Sequence, residues 1–456
     1  MSVQDATDLA TAVRAGNVSA TEVARYALDR AGADELGAVW LVTEERALRE
    51  AAAVDAAVAA GRDPGPLAGV PVGWKDLIDT GGITTTYGSS LFRDHVPDRD
   101  ADVVARFTAA GAVTVAKLAT HELAWGTTNQ NPHYGSCKNP HDPTRVPGGS
   151  SGGSGAALAS GMVAAAPGTD TGGSIRCPAS CCGIVGLKPT FGRVSLAGIR
   201  MLCPTLDHCG PMARTVAECA LQLEVMAGES PRDPRTTPVP VERWTEAVSR
   251  GVAGLTVGVA ERYFFEHTAP DIAASARRGV DALRDAGARI VEVDMQWPTK
   301  LGIADPFTPE EAATIWEFWP ERAADFGPDV RRDLTAAEPM LAVDSAITSQ
   351  NRLEYRARMH EALVSAGVDL VATPAQAFTP PHIGVTEVPF AGEEAFDVTF
   401  AMCGLTQIFN ILGWPAISVP SGRDDANMPV GLQLASLPWQ ESYCLAAAAV
   451  VEAASI

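Results

Sequence analysis

Two serines flanked by glycines are the residues of this 456-residue chain best suited to covalent chemistry. Ser150 lies in PGGSSGGSG, and Ser174 lies in TDTGGSIR, 24 positions further along. Glycines around a serine let the backbone take unusual angles and present bare N–H groups to a substrate. Such a setting predicts a nucleophile of the serine-hydrolase type.

A lysine is the candidate base for that nucleophile. Lys75 directly follows the apolar segment 69–74 in GVPVGWKDLIDT. Burial at the end of a strand disfavours the ammonium form and lowers the pKa of a lysine from its ordinary value of about 10.4. The residue types therefore favour a serine hydrolase whose base is not histidine. The open alternative is a surface lysine paired with Asp76 or Asp79.

Three segments, GGSSGGSG, GTDTGGSIRCPAS and GIVGLKPTFGRVS, resemble the amidase signature family, hydrolases with a Ser–cis-Ser–Lys triad. The match is densest over residues 67–214 and returns more weakly at 369–375, 410–420 and 429–434. The resemblance implies that Ser174 is the nucleophile, Ser150 a proton relay behind a cis peptide bond, and Lys75 the general base. The spacing of 24 positions, which agrees with the family, selects Ser150 over the adjacent Ser151.

The same resemblance assigns the surroundings of the triad. It places an oxyanion hole at the backbone N–H groups of Thr171, Gly172, Gly173 and Ser174. Asp170 and Arg176 flank this loop and are expected to support it as a buried charge pair. We also predict an apolar substrate pocket that includes Trp125, Gly126, Thr127, Trp316, Trp319, Phe400 and Met402. For the later aromatic residues, ordinary core packing is the open alternative.

Other catalytic chemistries fit the sequence less well. A histidine base would have to come from His95, His121, His133, His141 or His208, and the chain has no G-x-S-x-G elbow. Cys177 lacks the glycines that flank Ser174. The nine cysteines include one cluster, Cys177, Cys181 and Cys182, without a second cluster or histidine pair that would complete a zinc site. We expect no metal and no organic cofactor.

The elements that must position these residues follow a strand–helix alternation. Apolar segments at 69–74 and 112–116 predict strands, and Asp100 is expected to cap the helix between them. A second unit has strands at 255–260 and 289–293 around a helix at 271–286. Alternation of this kind predicts an α/β fold in which a central mixed, mostly parallel β-sheet is covered by helices on both faces.

We expect one amidase domain over residues 1–456. Its parts are N-terminal helices (1–65), a signature core (66–215), a variable region that shapes the substrate entrance (226–367) and a C-terminal part of the core (368–456). Within the first part, Ser19 and Glu22 have the spacing of a capping box, and Gly32 is placed to end the helix.

Net charge and hydropathy limit the kinds of partner that the chain is expected to bind. The formal net charge is −20, without a basic stripe, which argues against nucleic acid and anionic membranes. Apolar runs stay shorter than the roughly 18 residues that a membrane span needs. The N-terminal residues lack the pattern of a secretory signal, so we expect a cytoplasmic protein with a small-molecule substrate. A homodimer is the expected assembly if the chain associates.

Three functions are compatible with these motifs. The first is hydrolysis of the C–N bond of small amides, with carbamates (a urethanase), anilides or esters as related substrates. The second is the glutaminase-like A subunit of a tRNA-dependent amidotransferase, and the third is a non-catalytic scaffold. The second predicts an Arg-Tyr-Asp-Gly motif, whereas the comparable region reads SQNRLEYRARMHEALVSAG. A scaffold predicts a damaged triad. The sequence therefore favours the first function and leaves the substrate open.

Overall fold

The computed structural model describes residues 5–295 and 307–455. Its α-helices are α1 (Ala6–Arg14), α2 (Ala20–Gly32), α3 (Glu44–Ala59), α4 (Asp102–Ala109), α5 (Gly152–Ala159), α6 (Arg176–Cys182), α7 (Val216–Met226), α8 (Trp244–Ala247), α9 (Pro270–Asp285), α10 (Thr308–Ile315), α11 (Pro328–Ala337), α12 (Ala342–Ala366), α13 (Val398–Cys403), α14 (Ile408–Leu412) and α15 (Glu441–Ala454). Residues 296–306 of the predicted variable region lie outside the described residues.

The strands are β1 (Val39–Val42), β2 (Pro71–Lys75), β3 (Val113–Leu118), β4 (Gln130–Asn131), β5 (Gly135–Ser136), β6 (Gly168–Asp170), β7 (Val185–Lys188), β8 (His208–Gly210), β9 (Met212–Ala213), β10 (Thr256–Val259), β11 (Arg289–Glu292), β12 (Leu370–Pro374), β13 (Glu387–Phe390), β14 (Glu393–Asp397), β15 (Ala416–Arg423) and β16 (Pro429–Ser436). They form a seven-stranded sheet in the order β11-β10-β12-β16-β15-β7-β9, a three-stranded sheet β1-β3-β2, and the pairs β13-β14, β4-β5 and β6-β8.

The seven-stranded sheet is mixed, as the sequence predicts. Strand β10 runs parallel to β11 and β12, with α9 connecting β10 to β11 as expected. The four remaining pairs, from β12-β16 to β7-β9, are antiparallel, so the pairs in this sheet are not mostly parallel. Strands β15 and β16 are joined by residues 424–428 alone, and so short a connection permits only an antiparallel pair.

Helices cover both faces of this sheet, as β16 shows. Successive strand residues point to opposite faces. The side chain of Leu432 lies beside Gly279 of α9, and Val451 of α15 packs at the same place. Gln433, the next residue, reaches the opposite face and accepts a hydrogen bond from Arg176 of α6. Strand β16 therefore contacts α9 and α15 on one face and, on the other face, the layer that carries the candidate site.

The three-stranded sheet presents Lys75. Strand β2 runs parallel to β3, with Lys75 opposite Leu118 at the carboxyl end of both strands. Helix α4 connects the two strands and buries Val103, Val104 and Phe107, as its apolar spacing predicts. This strand–helix–strand unit fixes the direction from which Lys75 enters the molecule.

Two predicted helix caps have different outcomes. The capping box of Ser19 and Glu22 is present, with both reciprocal hydrogen bonds at the start of α2. The Asp100 cap was wrong, because α4 begins after Ala101 without a side-chain cap. The Asp100 carboxylate instead accepts hydrogen bonds from the Arg46 guanidinium and the Gly81 N–H. An ion pair with Arg46 thus outcompetes the helix terminus.

Among the described helices, none combines the length and apolar character needed to cross a bilayer.

Candidate active site

Three segments bring the predicted catalytic residues together. Lys75 is the last residue of β2, Ser150 lies in the loop before α5, and Ser174 lies between β6 and α6. Strand β6 runs beside this arrangement and contributes Thr169. The end of β2, the loop before α5 and the segment from β6 to α6 therefore lie together in one buried region.

The amine of Lys75 is buried against two hydroxyls. Its Nζ lies 2.7 Å from Ser150 Oγ and 2.7 Å from Thr169 Oγ1, and the residue is 0% exposed. Burial lowers the pKa of Lys75 to about 7, although the carboxylates of Asp170 and Asp207 act in the opposite direction. A lysine with this pKa is a substantially neutral amine at pH 7 and can accept a proton.

Two other lysines are equally buried but have different partners. Lys117 Nζ lies 3.4 Å from the carboxylate of Asp76, and Lys188 donates to the backbone oxygens of Pro189 and Trp414. Asp76, which the sequence offered as a partner for Lys75, therefore belongs to Lys117. Lys117 also contacts two hydroxyls, those of Thr80 and Thr85, but its amine is paired with a carboxylate as well. Lys75 differs because its hydroxyl partners belong to Ser150 and Thr169, beside the nucleophile loop.

The neighbours Ser150 and Ser151 have different environments. The Gly149–Ser150 peptide bond is cis, and the Ser150 hydroxyl meets Lys75. The Ser151 hydroxyl instead bonds to the backbone of Thr169, at 3.2 Å from its carbonyl oxygen and 3.3 Å from its nitrogen. Of these two hydroxyls, that of Ser150 is therefore the one available to relay a proton from the direction of the amine.

Ser174 lies at the end of a loop that requires glycine. Gly173 has φ 148°, and a Cβ at this residue would overlap the Thr406 hydroxyl. That hydroxyl donates to the Gly172 carbonyl oxygen at 2.7 Å. Ser174 itself is 4% exposed, and its carbonyl accepts the Ser151 N–H at 3.3 Å. The loop is therefore held on both sides while its nucleophile candidate faces a pocket.

Asp170 and Arg176 form a buried charge pair beneath this loop. The guanidinium donates from Nε and Nη2 to the two carboxylate oxygens, at 3.0 and 2.8 Å. Arg176 also donates to Gln433 Oε1, and Asn410 donates to Asp170. Burial alone would raise the pKa of Asp170, but Arg176 outweighs it and holds that pKa well below its usual range. The Asp170 carboxylate is thus ionised, and its contacts with Arg176 fix both ends of the nucleophile loop.

Ser174 opens into a pocket of mixed character. Its lining residues are Ala124, Trp125, Gly126, Thr127, Thr171, Gly172, Ser174, Leu202, Phe307, Glu311, Asp333, Thr399, Phe400 and Cys403. Four predicted pocket residues, Trp125, Gly126, Thr127 and Phe400, are in this set. The pocket is also lined by two acidic residues, Glu311 and Asp333, so it is not the apolar pocket that the sequence predicts.

Three other predicted pocket residues do not line this pocket. Trp316 is 42% exposed and points to solvent, whereas Trp319 packs near Phe326 and donates from its indole N–H to Glu338. Met402 is buried in the apolar core with Phe409, on the other side of α13 from the pocket residues Phe400 and Cys403. Core packing, the alternative for these side chains, describes Trp319 and Met402.

Sequence reasoning missed several residues at the site. Thr169 precedes Asp170 on β6. Because side chains alternate along a strand, the sequence could have predicted that Thr169 and Asp170 point to opposite sides of β6. Glu311 and Asp333 gave no signal, because they come from α10 and α11 and reach the pocket only through tertiary packing. Asp207, which accepts a hydrogen bond from Thr171, was also missed.

The competing nucleophiles and bases lie elsewhere. The lining residues described for the pocket include no histidine, and His121 is tied to Asp329 with 2.7 Å between Nε2 and Oδ2. Cys177 is buried within α6. Across residues 5–295 and 307–455, no three histidine, cysteine or acidic side chains are grouped as metal ligands.

Comparisons with known proteins find similarity over nearly the whole chain. The family model described as Amidase matches residues 22–445. The A subunit of the glutamyl-tRNA(Gln) amidotransferase from Synechococcus sp. (strain RCC307) is 39% identical over 466 residues, covering 95% of this chain and 94% of that protein.

Solved structures extend the likeness to the fold. A chain from a vestigial protein complex that bears on the origins of an s-triazine catabolic enzyme has a TM-score of 0.93 at 34% identity, covering 99% of both chains. A bacterial aryl acylamidase of the amidase signature family has a TM-score of 0.90 at 25% identity, covering 100% of this chain and 96% of that one.

Proposed function

Because this chain belongs to the amidase signature family, we propose that it hydrolyses the C–N bond of a small carboxamide through an acyl-enzyme on Ser174. The observation that carries the proposal is the buried contact of 2.7 Å between Lys75 Nζ and Ser150 Oγ. A buried amine with a pKa of about 7, in contact with a serine hydroxyl, is suited to general-base catalysis.

The reaction begins with neutral Lys75. It takes the proton of Ser150 while Ser150 takes that of Ser174, whose Oγ attacks the carbonyl carbon of the substrate. The tetrahedral intermediate collapses as the leaving nitrogen receives a proton from Ser150, which recovers one from the Lys75 ammonium. Water then attacks the acyl-enzyme, gives its proton to the same relay, and releases the acid and free Ser174.

Backbone N–H groups of Thr171, Gly172, Gly173 and Ser174 stabilise the negative oxygen in this proposal. Each donor of this kind typically contributes about 3–4 kcal/mol to the transition state. The fixed backbone at Gly173 and the hydrogen bond from Thr406 to Gly172 support such a role, because preorganised donors need no rearrangement during the reaction. Asp170 and Arg176 act only by holding the loop.

The relatives support an amidotransferase setting for this step better than the stand-alone setting that the sequence favoured. The similar Synechococcus protein is named as the A subunit of an amidotransferase, and the likeness spans nearly both chains. In this setting the substrate is the side-chain amide of glutamine, the released ammonia passes to an acceptor, and the chain works with partner subunits. The sequence lacks an Arg-Tyr-Asp-Gly motif, which argues against this setting.

The second candidate is a stand-alone amidase for small amides, with carbamates, anilides or esters as related substrates. The observation that favours it is the charge of the pocket. Glu311 and Asp333 are both among its lining residues, and the lining residues described include neither lysine nor arginine. Asp333 is paired with Arg332 at 2.8 Å, which offsets part of its charge. The described lining residues still offer no cationic group to the α-carboxylate of glutamine, whereas a neutral or amine-bearing amide needs none.

A substrate panel with the purified chain separates these candidates. We would measure amine or ammonia release from L-glutamine, butyramide, p-nitroacetanilide and an N-aryl carbamate, with Ser174→Ala as the control. Preference for glutamine supports the amidotransferase setting, and preference for neutral amides or the carbamate supports the stand-alone enzyme. Turnover that survives in Ser174→Ala contradicts the proposal.

A fluorophosphonate, which reacts with activated serines, covers the case of no turnover. Labelling of Ser174 without hydrolysis of any substrate indicates an active site that requires partner subunits. A folded chain with neither turnover nor labelling supports the non-catalytic scaffold and overturns the proposed function.

A further inference from the structure

Asp207 is a buried carboxylate that the reaction steps above do not use. It is 6% exposed and directly precedes β8, the strand that pairs with β6. Since β6 leads into the nucleophile loop, Asp207 lies where that loop meets the segment 202–206. A buried carboxylate therefore lies beside the candidate site.

Its hydrogen bonds connect two parts of the pocket wall. Asp207 Oδ1 accepts the Thr171 hydroxyl at 2.6 Å, and Oδ2 accepts the Leu202 N–H at 2.8 Å. The Cys203 N–H lies 3.1 Å from both oxygens. Thr171 and Leu202 both line the pocket that contains Ser174. A single carboxylate therefore fixes two neighbouring pocket segments to each other.

We propose that Asp207 is a positioning residue that holds Thr171, and with it the backbone N–H groups leading to Ser174, in the orientation that the reaction needs. The inference rests on the proposed function, because it takes loop 171–174 as the oxyanion hole. The Thr171 hydroxyl transmits the effect, since it is the group that joins the carboxylate to the loop. Asp207 itself does not line the pocket.

The same carboxylate also influences the base electrostatically. Burial raises the pKa of Asp207 to about 6, so the group is mostly ionised at neutral pH. Its negative charge acts on Lys75 and opposes part of the decrease that burial causes in the pKa of that lysine. Among the described residues, the other charged or titratable groups around Asp207 include Asp170, Cys203, His208, Cys209, Asp233 and Arg235, with Lys188 and Glu310 in contact with His208 and Cys203.

The test compares Asp207→Asn, Thr171→Val and Thr171→Ser by their rate constants for labelling with a fluorophosphonate, which needs no knowledge of the substrate. Removal of a direct oxyanion donor costs about 10²–10³-fold in rate, so we expect Asp207→Asn and Thr171→Val each to be about 10–100-fold slower. Thr171→Ser keeps the hydroxyl and should stay within about threefold of the parent. The double variant should be no slower than Asp207→Asn, because the single acceptor oxygen of Asn cannot serve Thr171 and the N–H groups of Leu202 and Cys203 together, so both changes weaken the same connection.

The pH dependence of labelling gives a readout that a purely structural role would not move. Without the Asp207 charge, the pKa of Lys75 should fall further, so the midpoint of the rising limb should move to lower pH in Asp207→Asn. It should move less in Thr171→Val, which keeps the carboxylate and loses only one of the hydrogen bonds that lower its pKa. Equal rates for Thr171→Val and the parent, or an unmoved limb in a folded Asp207→Asn, overturn the inference. Labelling that persists in Ser174→Ala instead overturns the proposed function itself.

Discussion

The amine of Lys75 lies 2.7 Å from the hydroxyl of Ser150, whereas the adjacent Ser151 hydroxyl is occupied by the backbone of Thr169. Two chemically identical side chains, one position apart, thus have separate partners. The proton path proposed above depends on this difference, because a relay must contact the base and must not be committed to a structural hydrogen bond.

Substitution of the two serines should separate their roles. We expect Ser150→Ala to slow fluorophosphonate labelling by about 10²–10⁴-fold, the range typical of proton-transfer groups. Ser151→Ala removes two hydrogen bonds to the Thr169 backbone, each worth about 1 kcal/mol, and should lower stability by about 1–2 kcal/mol while changing the labelling rate little. Loss of reactivity in Ser151→Ala alone would reverse the assignment.

The pH dependence of turnover should report the lysine. Since the pKa of Lys75 is lowered to about 7 and only the neutral amine accepts a proton, kcat/KM should rise with pH through about 7 and level off above it. The measurement is a profile between pH 5.5 and 9 on the best substrate from the panel. A profile that is flat or falls across pH 7 would rule out a neutral lysine base.

Replacement of the base should stabilise the fold while it abolishes activity. Between pH 7 and about 10.5 the unfolded chain binds a proton at Lys75 that the folded chain does not, so the wild-type stability rises with pH there and the burial penalty is greatest below pH 7. Lys75→Met removes this penalty and loses two hydrogen bonds. We expect a gain of about 1–3 kcal/mol at pH 6 that diminishes by pH 9.5.

Thermal unfolding at the two pH values measures this gain, and Lys117→Met is the matched control. Lys117 is as buried as Lys75 but lies beside Asp76, so its removal leaves an uncompensated carboxylate and should cost about 3–5 kcal/mol. Destabilisation by Lys75→Met at pH 6 as large as that of the control would contradict this interpretation.

The two glycines before Ser174 should respond differently to alanine. A Cβ at Gly173 would overlap Thr406 in a left-handed region of φ, whereas a Cβ at Gly172 would find Phe307 and Cys403 at 3.7 and 3.8 Å, an ordinary contact distance. Gly173→Ala should therefore lose several kcal/mol of stability and its reactivity, and Gly172→Ala should stay within about 1 kcal/mol. The unfolding midpoints of the two variants measure this difference in stability. Equal midpoints would contradict the prediction, because they would mean that the loop relaxes around a Cβ at Gly173.

Much of the fold could be predicted from local patterns. The strand that ends in Lys75, the β10–α9–β11 unit and the Ser19 capping box all have signals within a few residues of sequence. The pairing directions of the sheet could not, because the β15–β16 hairpin adds antiparallel neighbours that alternating strands and helices do not reveal. The Asp100 cap failed because Arg46, 54 positions away, competes for the same carboxylate.

The candidate site shows the same division. Lys75, Ser150 and Ser174 could be selected from motifs, since the flanking glycines and the apolar strand before Lys75 are recognisable in the sequence. The composition of the pocket wall could not, because Glu311 and Asp333 come to line the pocket only through the packing of α10 and α11. Trp316 illustrates the opposite error, since its aromatic character suggested a pocket although the side chain faces solvent.

In the proposed mechanism, Lys75 activates Ser174 through Ser150. This activation can be tested by peptide mass spectrometry after fluorophosphonate treatment at about pH 7.5, which is just above the pKa of Lys75. We expect one adduct, on Ser174, in the parent chain, and no adduct within the same time in Lys75→Met. An adduct on any other residue, or labelling of Lys75→Met at the parent rate, would contradict it.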